Sequence, residues 1–353
     1  MKITKFLPAA AIFAVVALAA ALIGCGKDSK GGGSATGGAK AMASKTSGDK
    51  GNGKPASKIA SGWTAVDASN IFGTSGVTAP DVEIRVIAFG NGKFVAGGKN
   101  GKMAHSSNGA TWMAVSDKST PATPDAIAFG NGKFVTVNWK FAGNDRKVSY
   151  SSDGITWTVV LEPIRSDLRH IAFGNGKFVA TGGKSEIMYS LDGAKWTFIE
   201  ERPFGTDSVN ALAYCNNKFV AWGSKGKMAH SPDGLTWTVV SDGCTNEIIA
   251  YAIAYGNGVF VAGGYNGKMA YSSDGTKWTA VSDSPFKDNI NAIAFGNGKF
   301  VAGNYKGRIA YSTDGANWTA ADRPITPVKA MAFGNGVFVA GGRDGKIAYS
   351  TGK

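Results

Sequence analysis

The 353-residue chain contains only three cysteines and three histidines. So few cysteines exclude the disulfide framework that holds many small secreted domains together. Cys215 and Cys244 are expected as free thiols, because strand alternation would set them on opposite faces. The histidines form no metal set: His105 and His230 stand where other copies of a repeat carry tyrosine, and His170 falls within a strand pattern. Charged residues make up only 18% of the chain, and no long amphipathic helical pattern competes with the strand patterns. The run Gly98-Lys99-Asn100-Gly101-Lys102-Met103 has the glycines and lysine of a phosphate loop, but it ends on Met where Ser or Thr would hold magnesium. No catalytic constellation, no cofactor and no metal are expected.

Glycine, by contrast, is abundant at 50 residues, and tryptophan recurs at one point of a repeat: Trp63, Trp112, Trp157, Trp196, Trp237, Trp278 and Trp318. Each copy of roughly 40 residues has the same plan. In the run Ile87-Ala88-Phe89 the large Ile87 and Phe89 alternate with the small Ala88 at period two, as in a strand. Asn91-Gly92 then supplies the two positive-φ residues of a tight hairpin, so Phe94-Val95-Ala96 folds back. A Gly-rich turn leads to a third strand near Lys102 to Ser106, and an Asp-Gly or Asn-Gly turn leads to a fourth carrying the tryptophan. Four short antiparallel strands per unit make the blade of a β-propeller.

Seven such units predict an all-β, seven-bladed propeller over residues 59–353. The last copy stops at Tyr349-Ser350-Thr351-Gly352-Lys353, short of its fourth strand, whereas the first recognisable element is Ser61-Gly62-Trp63-Thr64-Ala65-Val66. Pairing the N-terminal strand into the last blade would close the ring and cover an otherwise open sheet edge.

Residues 1–24 form a separate object. Lys2 and Lys5 precede an apolar stretch from Phe6 to Ile23, and Leu22-Ile23-Gly24-Cys25 follows. This resembles the bacterial lipoprotein signal, which implies cleavage before Cys25 and lipidation of that residue. The implied location is the bacterial cell envelope, with the outer membrane or cell surface favoured because Gly26 replaces the Asp of inner-membrane retention. Residues 25–58 have the Gly, Ser and Lys composition of a disordered tether.

The net charge of +13 is concentrated in this leader and tether, and in lysines that the repeat spaces evenly around a ring. Nucleic acid is therefore not expected as a partner, since it would need basic residues gathered on one face. A monomer is expected.

The turns before the tryptophans, such as Ser151-Ser152-Asp153-Gly154-Ile155-Thr156-Trp157 and Ser312-Thr313-Asp314-Gly315-Ala316-Asn317-Trp318, resemble the Asp-box repeats of sialidase-type propellers. They are also similar to the propellers of the photosystem II assembly factor family. The usual box has a residue between Asp and Gly, whereas here the two are adjacent. The resemblance implies a structural role for Asn108, Asp153, Asp192, Asp233, Asp274 and Asp314. It does not bring sialidase catalysis with it, because no arginine here lies in the Arg-Ile-Pro motif of that family.

The candidate ligand face is the one carrying the second-to-third-strand loops, where the repeats stop being copies of one another. After the second strand stand Lys99, Trp139, Lys184 (allowing one insertion), Ser224, Tyr265, Tyr305 and Arg343. Trp222 lies two positions before Ser224, and the longest loop adds Lys140, Phe141 and Arg146. Aromatics beside cations suit a protein or a glycan. Drift of unconstrained loops would leave the same mixture, so sequence position alone keeps both explanations open. The expected function is that of a lipid-anchored binding scaffold. An envelope assembly or maintenance factor is the alternative, and a sialidase-like hydrolase a distant third.

Overall fold

The computed structural model describes residues 62–73, 82–116, 123–138, 147–161, 164, 166–240, 248–321 and 323–351. Seven four-stranded antiparallel sheets succeed one another along the chain. In the first blade Ile84–Gly90, Lys93–Gly98, Met103–Ser106 and Met113–Ala114 lie side by side in chain order. Five further blades repeat this order. The seventh does not: its Ala330–Gly334, Val337–Gly341 and Lys346–Ser350 are completed by Trp63–Asp67. Trp63 pairs with Ser350 and Thr64 with Tyr349, so head and tail share one sheet as the sequence predicts.

The hairpins form for the reason read from the sequence. Asn91 and Gly92 both have positive φ, 46° and 71°, which matches the twist of the strands they join. The repeat aromatics meet across each hairpin, with Phe89 and Phe94 ring centroids 4.8 Å apart and tilted. One detail differs. The tryptophan of each complete blade precedes the fourth strand instead of lying within it. The Trp112 indole donates to the Gly109 carbonyl at 2.9 Å, and Trp318 does the same to Gly315. The ring therefore belongs to the turn.

Blades are joined through the glycine that ends each first strand. A Cβ placed on Gly90 would lie 2.1 Å from Phe129 Cγ in the next blade, and one on Gly334 would lie 2.1 Å from Phe89 Cγ. Only a residue without a side chain lets the neighbouring aromatic sit flat on the backbone. Cys215 replaces that glycine in the fourth blade and packs against the same buried cluster as Tyr255. It is a free thiol, while Cys244 lies outside the described residues.

The N-terminal latch reaches past the seventh blade. Asp67 meets Lys346 at 2.8 Å, and the Ala68 amide donates to Gly345. A single helical turn, Ser69–Phe72, then buries Phe72, whose carbonyl accepts from Lys102 Nζ in the first blade at 3.1 Å. Residues 63–72 thus tie the last blade to the first. The leader, Cys25 and the tether lie outside the described residues.

Candidate functional site

The two faces of the ring differ in kind. On the hairpin face each turn repeats one chemistry. The Asn91 side-chain amide donates to the Gly132 and Ser152 carbonyls of the next blade, at 3.3 and 3.0 Å. Asp153 Oδ1 accepts from the Ile155 and Thr156 amides at 2.8 Å, and the Ser151 hydroxyl donates to the same oxygen. Asn108, Asp192, Asp233, Asp274 and Asp314 accept amides from the residues two and three places on in the same way. The Asn317 amide, joined by the Asn317 side chain, outweighs burial and holds the Asp314 carboxyl at about 2. These carboxylates stabilise local turns.

The opposite face carries the second-to-third-strand loops. Lys99–Gly101, Ser224–Gly226 and Tyr265–Gly267 each form one 3-10 turn whose middle residue is left-handed. Lys184 is that middle residue in its own turn, with φ 53°. It is therefore equivalent to Asn100 and needs no insertion; Gly183 takes the place of Lys99. Tyr265 is 47% exposed. Trp139, Lys140, Phe141 and Arg146 lie outside the described residues.

Trp222 requires a correction, because it contributes nothing to this surface. It is 0% exposed, its indole N–H donates to Ile248 O at 2.9 Å, and its ring meets Trp278 edge-on at 4.9 Å. Two residues short of the loop, it belongs to the second strand, where alternation turns it into the space between blades.

The structure brings Tyr305 and Arg343 together and adds residues that the sequence reading passed over. Arg343 Nη2 donates to the Tyr305 hydroxyl at 3.1 Å, with its guanidinium 5.6 Å from the ring centre. Lys329 Nζ lies 5.2 Å from the same ring. Both cations converge on Glu83 Oε1, Arg343 at 3.3 Å and Lys329 at 3.4 Å. Burial pushes the Lys329 ammonium down from its usual range; Glu83 opposes this, and Arg343 and Arg85 add to it. Beside them, Arg85 bridges the buried Asp125 at 3.1 Å. Asp125 also acts on Arg169, whose pKa burial lowers.

A sequence signal for these residues existed. Arg85, Asp125, Arg169, Asn210, Tyr251, Asn291 and Lys329 each stand four places before the repeat aromatic, at the start of the innermost strand of each blade. The residues just before the aromatic are nearly identical from blade to blade, whereas this one takes five identities in seven blades. In five blades the ladder register shifts at this residue, between Ile84 and Val86 in the first, so it is a bulge position at the opposite end of the strand from the hairpin. Among the described residues no group of three or more His, Cys, Asp or Glu could hold a metal ion. Nor is any described helix long and apolar enough to cross a membrane.

The fold defines the class: a seven-bladed β-propeller of four-stranded blades, closed by its N-terminal strand. Solved structures with the same architecture include a YCF48 chain bound to a D1 peptide, 18% identical, with a TM-score of 0.61 over 82% of this chain and 96% of that one. YCF48 from Cyanidioschyzon merolae is similar at 15% identity and TM-score 0.59, covering 82% and 98%. Virginiamycin B lyase from Staphylococcus aureus is similar at 12% identity and TM-score 0.67, again over 82% and 98%. At such identities the likeness establishes the fold alone. No protein-family model matches the chain. No curated protein matches it either.

Proposed function

We propose that this propeller is a binding scaffold that holds a protein partner on the face of its second-to-third-strand loops. The observation that carries the reading is the contrast between faces. One repeats a single set of turn contacts, whereas the other gathers Tyr305, Arg343, Lys329 and Glu83 from three blades beside the exposed Tyr265. Recognition sites favour such aromatic and guanidinium anchors on a rigid frame. A structurally similar propeller was solved with a bound peptide, which supports a protein over a glycan as ligand.

The scaffold sits in the cell envelope, held to the membrane by a lipid on Cys25 and spaced from it by residues 26–58. Several acyl chains, at about 0.8 kcal/mol per buried CH₂, anchor such a protein stably. Assembly or maintenance of envelope complexes is the biological role that a rigid, anchored scaffold would serve. Catalysis forms no part of the proposal.

Crosslinking and pull-down from intact cells tests the reading. The wild-type chain should capture a partner that the Tyr265→Ala/Tyr305→Ala double variant loses while keeping its melting temperature within a few degrees. Equal capture by both would remove this face. Cys25→Ser should release the protein from the membrane fraction, and retention there would refute the anchor.

A further inference from the structure

The turn before the tryptophan carries an amide in the first blade and a carboxylate in the next five. Asn108 stands where Asp153, Asp192, Asp233, Asp274 and Asp314 stand, and like them it is followed by glycine. The backbone does not register the exchange. Asn108 Oδ1 accepts from the Ala110 and Thr111 amides, both at 2.9 Å, and from the Ser106 hydroxyl at 3.2 Å, as Asp192 Oδ1 does from its own three donors. Asn108 is exposed, and its side-chain nitrogen takes none of these bonds.

This turn also lies on the seam where the ring closes. The Ser107 carbonyl accepts from Asn335 of the seventh blade at 3.1 Å, and a Cβ on Gly109 would lie 2.6 Å from Val339 Cγ2 of that blade. In the third, fourth and fifth blades the carbonyl of the turn aspartate accepts a lysine of the preceding blade: Lys133, Lys177 or Lys218. Val337 takes the place of that lysine before Asn108, and Val259 takes it before Asp314. Asp314 nevertheless keeps its carboxylate on the turn's own donors, so the acid needs no lysine.

Addition to the Cγ of an amide moves negative charge onto its oxygen, and donors already aimed at that oxygen stabilise the addition more than they stabilise the amide. The adjacent nucleophile is Gly109 N. A bond from Gly109 N to Asn108 Cγ closes a cyclic imide; the Cγ–Nδ2 bond breaks, and Nδ2 leaves as ammonia with the proton that Gly109 N gives up. Water then adds to Cγ and breaks its bond to Gly109 N, which takes a proton back. The net change is asparagine and water to aspartic acid and ammonia. Opening at Cγ again loads the oxygen that the Ala110 and Thr111 amides face, which favours aspartate over the isoaspartate that opening at the backbone carbonyl would give.

The hairpin asparagines are wired the other way. Asn91 and Asn131 also precede glycine, but each commits Nδ2, the group that must leave, to two carbonyls of the next blade. Hydrolysis there would set a carboxylate against two carbonyl oxygens.

We infer that Asn108 is a self-modifying site, whose side-chain amide is hydrolysed within the folded turn to the aspartate that the other five turns carry. The conversion is a slow, irreversible maturation of the closure seam. It replaces neutral hydrogen bonds from three donors by charge-assisted ones, and it involves no residue of the loop face.

The test incubates the full chain, folded, in mildly alkaline buffer and follows the amide-to-acid mass change by peptide mapping. Cleavage after lysine and arginine places Asn108 in peptide 103–118, apart from Asn91 in 86–93 and Asn131 in 119–133. In the folded chain Asn108 should convert at least about tenfold faster than Asn91 or Asn131, with aspartate as the main product and isoaspartate as the minor one. In denaturant that advantage should vanish, because the donors are gone. Asn108→Asp, which makes the product directly, should melt at or above freshly prepared wild type, and incubated wild type should approach it. Equal or slower conversion at Asn108 in the folded chain, isoaspartate as its main product, or an Asn108→Asp variant that melts below wild type would overturn the inference. An advantage that persists in denaturant would overturn it too, since the turn would then not be its source.

Discussion

Asn335, in the hairpin of the seventh blade, donates its side-chain amide to the carbonyl of Gly92 in the first blade at 3.2 Å, across 243 residues of sequence. The same amide reaches the Ser107 carbonyl at 3.1 Å. Asn91, Asn131, Asn257 and Asn297 make equivalent bonds to the blade that follows each of them. At these five hairpins the asparagine needed for a positive-φ turn thus also fastens one blade to the next, and at Asn335 it helps to close the circle.

Replacing Asn335 separates these two duties. Asn335→Gly keeps the left-handed backbone accessible and removes only the bonds to Gly92 and Ser107, so a loss of about 1–2 kcal/mol is expected. Asn335→Ala should cost about 1 kcal/mol more, because alanine is strained at φ 47°. Denaturant unfolding of both variants checks the order; equal stability of the two would mean that the backbone contributes nothing.

Gly334→Ala should be more damaging than a typical exposed substitution. The added methyl would sit 2.1 Å from Phe89 Cγ, and the ring also packs, tilted, against Phe94. Overpacking of this kind costs about 1–3 kcal/mol, read as a lower melting temperature. Cys215→Gly restores the residue that the other blades use and is expected to fall within about 1 kcal/mol of wild type.

Acid should weaken the fold in two stages. Burial, helped by the Arg169 charge, pushes the His170 imidazole down to about 3. Its unfolded value is near 6.5, so protons bind the unfolded chain first, and stability should fall as pH drops from about 6.5 toward 3. Other blades have alanine at this position, among them Ala126 and Ala211, so His170→Ala should flatten that slope. The Asp314 carboxyl, held at about 2, contributes stability that is complete above its unfolded value near 3.8 and is lost as pH falls through 2. Asp314→Asn should remove its share of this second stage. Melting temperature against pH follows both stages, and an unchanged upper slope in His170→Ala would exclude the histidine as its source.

Removing residues up to Asp67 should expose the edge strand Lys346–Ser350 and free the contacts of Asp67 with Lys346. An uncovered edge invites pairing with another chain. The truncated protein is expected to lose its cooperative melting transition and to associate in size-exclusion chromatography. Adding the peptide 62–73 in excess should partly reverse both effects.

Much of the architecture was legible because its signals are local. Asn91-Gly92 states a hairpin in two residues, and the unfinished copy ending at Lys353 together with the orphan strand at Trp63 states the closure. The turn chemistry of Asp153 and its equivalents is equally short-range. The loop face was legible only in part. Tyr305 and Arg343 were found by comparing repeats, but the same comparison included Trp222, whose side of the strand depends on register. Lys184 was misaligned with Lys99 because the turn is defined by backbone conformation, and a left-handed residue carries no reliable sequence mark when it is lysine.

The order of strands, the number of blades and the pairing of head with tail follow from the sequence itself, because period-two alternation and positive-φ turns act between residues close together in the chain. The grouping of Lys329, Arg343, Glu83 and Arg85 was decided only by tertiary structure. Glu83 and Arg343 are 260 residues apart, and they meet because ring closure sets the seventh blade beside the first. Burial and shared charge, which give that corner its chemistry, exist only once the circle is complete.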